Sequence, residues 1–287
     1  MLMSLTTYGQ TRHGLIIGIG EYQDSVWNRR FPIHGDNDIP IIKDMLLKND
    51  FTDIETLKNQ EATFAKIIRS FEHLIKTVRT GDMVYIHFSC HGQQVRDFDN
   101  DEPDGEDECI IAYDTPYFPR IKYNADTLRL NLHLTDDILY NYLMRLKQKI
   151  GDNGRLIVVN DACHSGDGSR GEMEEDEYKH ARSVPPLDVI YAPFYNYDPS
   201  KVKPIKWTYI SACSAKGQVY ETTHDSKLYG TLSWILAHDE ELWRMPLNQL
   251  ESTLQKRIPE EVNRQSQLFK EQTPSIESTN KETLQLF

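Results

Sequence analysis

The chain has 287 residues, of which 39% are hydrophobic, and its formal net charge is −12. This length suits one large α/β domain, residues 1–287, with a core over about 13–273. The acidic balance disfavours nucleic acid and anionic membranes as partners, because both require clustered lysines and arginines. No apolar run is long enough for a signal peptide or a membrane span, and the four cysteines form no C-x-x-C pair. We therefore expect a cytoplasmic protein.

The predicted elements alternate along the chain. Apolar runs bounded by turn residues predict strands at His13–Gly20, Ile54–Leu57, Met83–Phe88, Cys109–Tyr113, Leu156–Val159 and Trp207–Ile210. Helical spacing or helix-start residues predict helices after Gly35–Asp38, over Thr63–Val78, from Thr135 to Leu146, over Leu228–Leu236 and over Leu247–Ile258. Strands that alternate with helices in this way predict a mostly parallel sheet covered by helices on both faces. Residues 167–206 show neither period and predict a long mobile loop.

Two of the predicted strands end in residues that suit nucleophilic catalysis. Cys163 follows one strand and His91 follows another, and the carboxyl ends of parallel strands meet at one edge of a sheet. A thiol attacks as the thiolate, and an imidazole both lowers its pKa and protonates the leaving amine. His91 suits this role better than His164, because a side chain adjacent in sequence to the nucleophile generally points away from it. The alternative is a buried core cysteine and an ordinary strand-end histidine.

The motifs at these strand ends resemble those of a known family. They are Phe88-Ser89-Cys90-His91-Gly92-Gln93 and Asp161-Ala162-Cys163-His164-Ser165-Gly166, which are similar to the two catalytic motifs of caspase-like peptidases. The closer resemblance is to metacaspases and bacterial caspase-like proteins. Further matches, in the same order as in the family, are Gly35–Asp38, Asp101–Gly105, Asp107-Glu108 and Ile210–Cys213. Two positions differ from the usual family pattern, since Cys90 replaces a glycine and Ala162 a serine.

The resemblance implies a caspase-hemoglobinase fold and a cysteine endopeptidase. Cys163 would attack the scissile carbonyl, His91 would transfer the proton, and the backbone N–H groups of Cys163 and Gly92 would bind the oxyanion. The chemistry would need no cofactor, a regulatory partner is allowed, and the role implied is in regulated cell death or defence. Two alternatives stay open: a catalytically silent caspase-like module that binds a protein partner, and a flavodoxin-like signalling domain, which the acidic cluster disfavours.

The candidate substrate pocket contains carboxylates. Resemblance to metacaspases places Asp38 and Asp161 in the pocket, with Ser89 beside them. Carboxylates bind guanidinium or ammonium groups, whereas a pocket for aspartate would require arginines, which these motifs lack. We therefore predict cleavage after Arg or Lys in protein or peptide substrates. The alternative is that Asp38 is only a helix-terminal acid and Asp161 a loop cap.

The loop from residue 97 to residue 108 is rich in acidic side chains. Its carboxylates are Asp97, Asp99, Asp101, Glu102, Asp104, Glu106, Asp107 and Glu108. This composition suits a hard cation such as Ca²⁺, although the spacing does not match an EF-hand, and a solvated loop is the alternative. Resemblance to calcium-dependent metacaspases implies Ca²⁺ as an activator, with the ligands Asp104, Asp107, Glu108, Asp136 and Asp137. Zinc is disfavoured because the cysteines are scattered singly.

The predicted loop of residues 167–206 also contains basic residues, namely Arg170, Lys179, Arg182, Lys201 and Lys203. If the pocket prefers basic side chains, this exposed segment is a candidate for self-cleavage, because nicking concentrates in polar loops. No single bond is favoured by the sequence. The alternative is an ordinary surface insertion.

Overall fold

The computed structural model of the chain describes residues 10–97, 100–103, 105–117, 120–122, 133–162, 181–182, 184, 188–190, 198, 200, 204–213, 218–265, 272–279, 281 and 284–287. Its helices are α1 Ser25–Arg30, α2 Asp38–Lys48, α3 Phe64–Thr77, α4 Asp136–Ile150, α5 Thr231–His238, α6 Glu240–Trp243 and α7 Leu247–Gln265. Its strands are β1 Arg12–Gly18, β2 Asp53–Lys58, β3 Met83–Ser89, β4 Gly92–Arg96, β5 Glu106–Ile111, β6 Arg120–Lys122, β7 His133–Thr135, β8 Arg155–Asp161, β9 Asp188–Ile190, β10 Thr208–Ser211, β11 Glu221–His224, β12 Lys227–Gly230 and β13 Ser275–Glu277.

The central sheet has six strands in the order β13-β10-β8-β3-β1-β2. All neighbours in it run parallel except β13, which pairs antiparallel with β10. The predicted mostly parallel sheet is therefore confirmed. Because β1, β3, β8 and β10 are parallel, their carboxyl ends lie at the same edge of the sheet.

Helices cover both faces of this sheet, as the continuous apolar strands predict. One face of the sheet packs with α3 and α4 through residues such as Phe71 and Leu143. The other packs with α2, α5 and α7 through residues such as Met45, Leu236 and Leu254. None of the helices in the described part of the chain is long and apolar enough to cross a membrane.

One helix start follows the sequence and another departs from it. The Thr135 hydroxyl caps α4 by accepting the Ile138 N–H, as expected for a threonine before a helix. The Asx residues before α2 would be expected to cap that helix, but residues 35–37 form a 3-10 turn and the Asn37 side chain makes no capping hydrogen bond. That side chain donates instead to the Leu228 carbonyl at 3.0 Å.

The region predicted as a helix from Leu228 begins as a hairpin. Strands β11 and β12 pair antiparallel, and a two-residue turn at Asp225 and Ser226 joins them with φ values of 49° and 63°. Positive φ at both central residues is the geometry of a tight hairpin turn, so the helix begins only at Thr231. The C-terminal tail contributes β13. Strand β9, which lies within residues 167–206, the segment expected to lack structure, pairs with β6.

Candidate active site

A pocket lies where the carboxyl ends of β1, β3 and β8 meet. Ser89 and Asp161 are the last residues of β3 and β8 and are partners in the sheet register. Asp38 begins α2, which follows β1. All three side chains are fully buried, and the Ser89 hydroxyl donates a hydrogen bond to Asp38. The structure therefore brings together the three residues predicted to line a substrate pocket.

The guanidinium of Arg182 fills this pocket. Its Nη2 donates to Asp38 at 2.7 Å and its Nη1 to the Ser89 hydroxyl at 2.6 Å. Nη1 also donates to the Asp161 carbonyl at 2.9 Å and lies 3.5 Å from the Asp161 carboxylate. The side chain is fully buried, so the predicted exposure of this loop segment is wrong at Arg182.

A third carboxylate, Glu221, completes the pocket and was not predicted. It accepts from Nε and Nη2 of Arg182 at 3.3 and 3.1 Å. Its Oε1, which takes both Arg182 contacts, also accepts the backbone N–H of His34, and its Oε2 lies 2.9 Å from Nδ1 of His34. Burial tends to raise the pKa of Glu221, but the His34 hydrogen bond and the Arg182 charge outweigh it and lower that pKa.

Three buried carboxylates therefore share one buried guanidinium. Burial raises the pKa of Asp38 to about 7, against the lowering effect of Arg182. Burial lowers the pKa of Arg182, but the three carboxylates more than compensate, and the net pKa is raised. This charge balance selects strongly for a cation in the pocket, because unpaired buried carboxylates are costly.

A chain of buried hydrogen bonds holds the carboxylate of Asp161. Ser233, at the start of α5, donates to it from its backbone N–H at 2.9 Å and from its hydroxyl at 2.5 Å. Behind Ser233, its hydroxyl lies 2.9 Å from Nε2 of His87, whose Nδ1 lies 3.2 Å from the Tyr85 hydroxyl. Burial lowers the pKa of His87 to about 3, so this ring is neutral and serves to orient the serine.

His91 lies beside the backbone of Arg182. Its Nε2 is 2.7 Å from the Phe31 carbonyl, and its Nδ1 is 3.1 Å from the Arg182 carbonyl. The ring stacks on Tyr22 with centroids 5.4 Å apart. Burial lowers the pKa of His91. A hydrogen bond from Nε2 to Phe31 leaves Nδ1 as the nitrogen available to a proton transfer.

Of the two predicted oxyanion donors, Gly92 is described. Its N–H donates to the Arg182 carbonyl at 3.3 Å. Cys163, which would supply the other donor and the nucleophile, lies outside the described residues, as does His164. Among the described residues, the N–H of Gly92 and Nδ1 of His91 therefore lie against the same carbonyl group, that of Arg182.

The three described cysteines, Cys90, Cys109 and Cys213, are buried free thiols. Burial raises the pKa of Cys90 to about 12 and the pKa of Cys109 well above its usual value. Neither thiol is therefore a ready nucleophile. In the described part of the chain, the clusters of potential metal ligands consist of carboxylates alone.

The predicted calcium ligands fall into separate groups. Asp107 lies with Asp97 and Asp101, whereas Glu108 lies with Glu102 and Asp136, and the ligand atoms within each group are within 4.8 Å of one another. Successive residues of a strand point to opposite faces, so Asp107 and Glu108 of β5 do not share one site.

Other predicted ligands do not join either group. Asp137 belongs to neither, and Asp104 lies outside the described residues. Asp97 accepts the N–H groups of Asn100 and Glu102 at 2.7 and 3.0 Å, which gives the first group a role in shaping the loop.

The second acidic group, formed by Glu102, Glu108 and Asp136, has features expected of a cation site. Oδ1 of Asp136 is buried and has no hydrogen-bond partner among the described atoms. Burial, followed by the charges of Glu108 and Asp137, raises the pKa of Asp136 well above its usual value. A divalent cation would supply the missing partner, and oxygen donors of this kind suit Ca²⁺.

The sheet, its two helical layers and the pocket define a caspase-like domain. A family model for the metacaspase, peptidase C14 domain matches residues 15–169, which is more than half of the 287-residue chain. The chain belongs to this family.

Known relatives match over parts of the chain. Metacaspase-1B of Aspergillus fumigatus is 34% identical over 104 residues, which cover 36% of this chain and 22% of that protein. Metacaspase-1A of Aspergillus oryzae is 29% identical over 165 residues, which cover 54% of this chain and 35% of that protein. The matched regions thus span about a fifth to a third of these relatives.

One solved structure is similar over nearly the whole chain. The crystal structure of protein GSU0716 from Geobacter sulfurreducens superposes with a TM-score of 0.60 at 20% sequence identity. The match covers 93% of this chain and 92% of that chain. This similarity concerns the fold.

Proposed function

We propose that the protein is a cysteine endopeptidase that cleaves after Arg or Lys. The observation that carries this proposal is the buried guanidinium of Arg182, which contacts three carboxylates while its own carbonyl lies against Gly92 and His91. A basic side chain in the pocket therefore places the adjoining carbonyl where peptide bond chemistry would occur. An Asp or Glu side chain would meet like charges there instead.

The sheet register supports Cys163 as the nucleophile that acts together with His91. Ser89 and Asp161 are direct partners in β3 and β8, and His91 and Cys163 each follow two residues later. Because Ser89 and Asp161 end neighbouring strands at the same level of the sheet edge, we expect His91 and Cys163 to lie close together. In the proposed reaction, the Cys163 thiolate attacks the carbonyl carbon, and His91 gives a proton to the leaving amine. Water then hydrolyses the thioester and releases the acyl group as a carboxylate.

The oxyanion of this reaction would be held by backbone donors. The N–H of Gly92 donates to the Arg182 carbonyl at 3.3 Å, which supports this residue as one donor. The N–H of Cys163 is the second proposed donor, as the family motif implies. Donors that are fixed before the reaction stabilise developing negative charge without a reorganisation cost.

A calcium ion is proposed as an activator. The proposed ligands are Glu102, Glu108 and Asp136, in place of the larger set that the sequence implied. Glu108 lies in β5, the strand that pairs with β4 directly after His91. Charge neutralisation at this acidic group would therefore stabilise the sheet that carries the catalytic histidine.

Fluorogenic peptides ending in Arg, Lys or Asp test the proposal, with Cys163→Ala and His91→Asn as the inactive variants. We expect cleavage after Arg and Lys, none after Asp, and loss of activity in both variants. Cys109→Ala and His73→Asn are matched controls, since the first thiol is buried in β5 and the second imidazole is exposed on α3. Both controls should cleave like the wild type.

Cleavage only after Asp would contradict the pocket assignment. No cleavage by a well-folded protein, with or without Ca²⁺, would favour the protein-binding module instead. A role in regulated cell death or defence rests on the family alone. It predicts different survival of cells that express the wild type and Cys163→Ala.

A further inference from the structure

We propose that Tyr22 is the positioning residue of His91. This inference rests on the proposed function, in which His91 transfers the proton, and it adds a residue that lies outside the motifs at the two strand ends. The hydroxyl of Tyr22 binds the backbone of His91, and the ring of Tyr22 stacks on the imidazole. One side chain thus fixes both the main chain and the ring of the histidine.

The hydroxyl of Tyr22 supplies a hydrogen bond just beyond the end of β3. The register between β1 and β3 ends with Gly18 and Ser89, so His91, two residues later, lies past that ladder. His91 is fully buried, and its N–H donates to the Tyr22 hydroxyl at 2.8 Å. Its carbonyl accepts the Ile111 N–H at 3.0 Å. Because a buried N–H without an acceptor is costly, Tyr22 holds the main chain in place where the strand ends.

Aromatic side chains confine the imidazole of His91 to one orientation. The Tyr22 ring lies nearly parallel to it, with centroids 5.4 Å apart and an interplanar angle of 23°. The Trp27 ring is tilted at 5.8 Å, and the Phe31 ring is T-shaped at 6.3 Å. All four residues are at most 4% exposed. A ring packed in this way cannot rotate without displacing its neighbours.

The backbone of Tyr22 is itself fixed by the side chain of Asn28. Oδ1 of Asn28 accepts the Tyr22 N–H at 2.8 Å, and Nδ2 donates to the Tyr22 carbonyl at 2.9 Å. Asn28 is an exposed residue of α1. The next N–H in the loop, that of Gln23, donates to the Tyr113 carbonyl at 3.0 Å, just after β5. The position of the histidine therefore depends on an amide at the protein surface.

These contacts assign Tyr22 to the chemical step and not to recognition of the basic side chain. That side chain is bound instead by Asp38, Asp161 and Glu221. Loss of the Tyr22 hydroxyl should therefore lower kcat and leave KM nearly unchanged. Since misplacement of a reacting group by about 1 Å can reduce a rate about 100-fold, we expect kcat to fall roughly 10-fold to 100-fold.

Two measurements on Tyr22→Phe test this inference. Burial raises the pKa of Tyr22 well above its usual value, so the change removes a hydroxyl and no charge. Cleavage of an Arg peptide should show the fall in kcat at nearly constant KM. By NMR, the amide of His91 should exchange with solvent roughly tenfold faster or more, because it loses its acceptor. Loss of the signal in His91→Asn assigns it.

Two further variants separate the ring of Tyr22 from its backbone support. Tyr22→Leu also removes the stacked ring, so the imidazole proton resonances of His91 should move away from the positions shared by the wild type and Tyr22→Phe. Asn28→Ala changes an exposed residue and leaves every group that contacts His91 in place. It should lower kcat less than Tyr22→Phe does, again at constant KM, and it keeps the test valid if Tyr22→Leu fails to fold.

Two residues of α4 provide matched controls. Tyr142→Phe removes a hydroxyl from another stacked tyrosine, whose ring lies 5.4 Å from Phe71 at 25°. Asn141→Ala removes another exposed asparagine, whose Nδ2 donates to the Asp137 carbonyl at 2.9 Å. Both controls should keep the kcat and the His91 resonances of the wild type.

A wild-type kcat in Tyr22→Phe, a loss that falls on KM, or an unchanged exchange rate of the His91 amide overturns the inference. If the wild type cleaves no Arg peptide, the proposed function fails, and the exchange rate and ring resonances decide the role of Tyr22 by themselves. If the wild type and Tyr22→Phe cleave equally well, the peptidase stands and only the role of Tyr22 is lost.

Discussion

Glu221 and His34 meet across 187 positions of sequence, with the carboxylate accepting the His34 N–H at 2.7 Å and its ring nitrogen at 2.9 Å. These hydrogen bonds orient Glu221 before any ligand binds. Oε1, which accepts the His34 N–H, also accepts from Nε of Arg182 at 3.3 Å, a donor that a lysine lacks. We therefore expect Glu221 to favour arginine over lysine, and Asp38 and Asp161 to bind either cation.

Glu221→Gln should therefore reduce cleavage after Arg more than cleavage after Lys. Hydrogen bonds to charged groups contribute about 1.5–3 kcal/mol, so kcat/KM for the Arg peptide should fall roughly 10- to 100-fold. Paired Arg and Lys peptides of otherwise equal sequence measure the difference. Glu260→Gln, on the exposed face of α7, is the control. An equal loss on both peptides would mean that Glu221 does not discriminate between them.

Binding of a basic ligand should become tighter as the pH rises above neutrality. With Arg182 bound, the pKa of Asp38 is about 7, and Arg182 acts to lower it. We therefore expect a higher Asp38 pKa in a pocket that stays buried without the guanidinium, so that guanidinium binding releases a proton. By linkage, affinity then increases with pH between the two pKa values, by at most about tenfold per pH unit.

The dissociation constant of p-aminobenzamidine for Arg182→Gln, measured across neutral pH, tests this linkage. Asp38→Asn in the same background should remove the dependence. Asp161, Glu221 and His34 also face the pocket, so a dependence that survives Asp38→Asn would assign the proton to one of them.

Gly230→Ala should close the pocket to arginine. A Cβ atom at this position would lie 2.1 Å from Oδ2 of Asp161 and 2.5 Å from Nη1 of Arg182. The backbone φ of −60° is ordinary for alanine, so the effect comes from the pocket and not from strain. In the Arg182→Gln background, which leaves the pocket without the native guanidinium, we expect loss of p-aminobenzamidine binding, checked against the thermal unfolding curve. Normal binding of the probe would show that the pocket can widen.

Removal of a carboxylate from the second acidic group should weaken calcium binding. Asp136→Asn and Glu108→Gln each take one charged ligand from the group, so the calcium-dependent shift in melting temperature should shrink. Asp152→Asn, at an exposed position after α4, should leave the shift unchanged. Identical melting temperatures of the wild type in Ca²⁺ and in chelator would count against the site.

Much of this site could be anticipated from local patterns. Apolar runs fixed the ends of β3 and β8, and residues at the ends of adjacent parallel strands must be neighbours, which is why Ser89 and Asp161 meet. The role of Asp38 was less accessible, because its position at a helix start is also typical of a helix-terminal acid. Its carboxylate turns instead to the Gly230 N–H and to Arg182.

Glu221 could not be placed from the sequence because it lies on a hairpin that pattern analysis missed. The apolar spacing after Leu228 predicts a helix, and the Asp225-Ser226 pair lacks the glycine that usually marks a tight hairpin turn in a sequence. The division of the acidic loop into two groups of carboxylates could not be predicted from the sequence, for a related reason. Density of charge along the chain does not show which face of β5 each of Asp107 and Glu108 occupies.

Under the proposed function, the bridge between Ala181 and Tyr220 would also limit what the protein recognises in other proteins. A basic residue would enter the pocket only if its own backbone were extended and had a free N–H for Val219. Residues in helices or in the interior of sheets have already committed those groups to internal hydrogen bonds. The protein would thus act as a detector of local unfolding, cutting a folded target only where and when that target loses its structure.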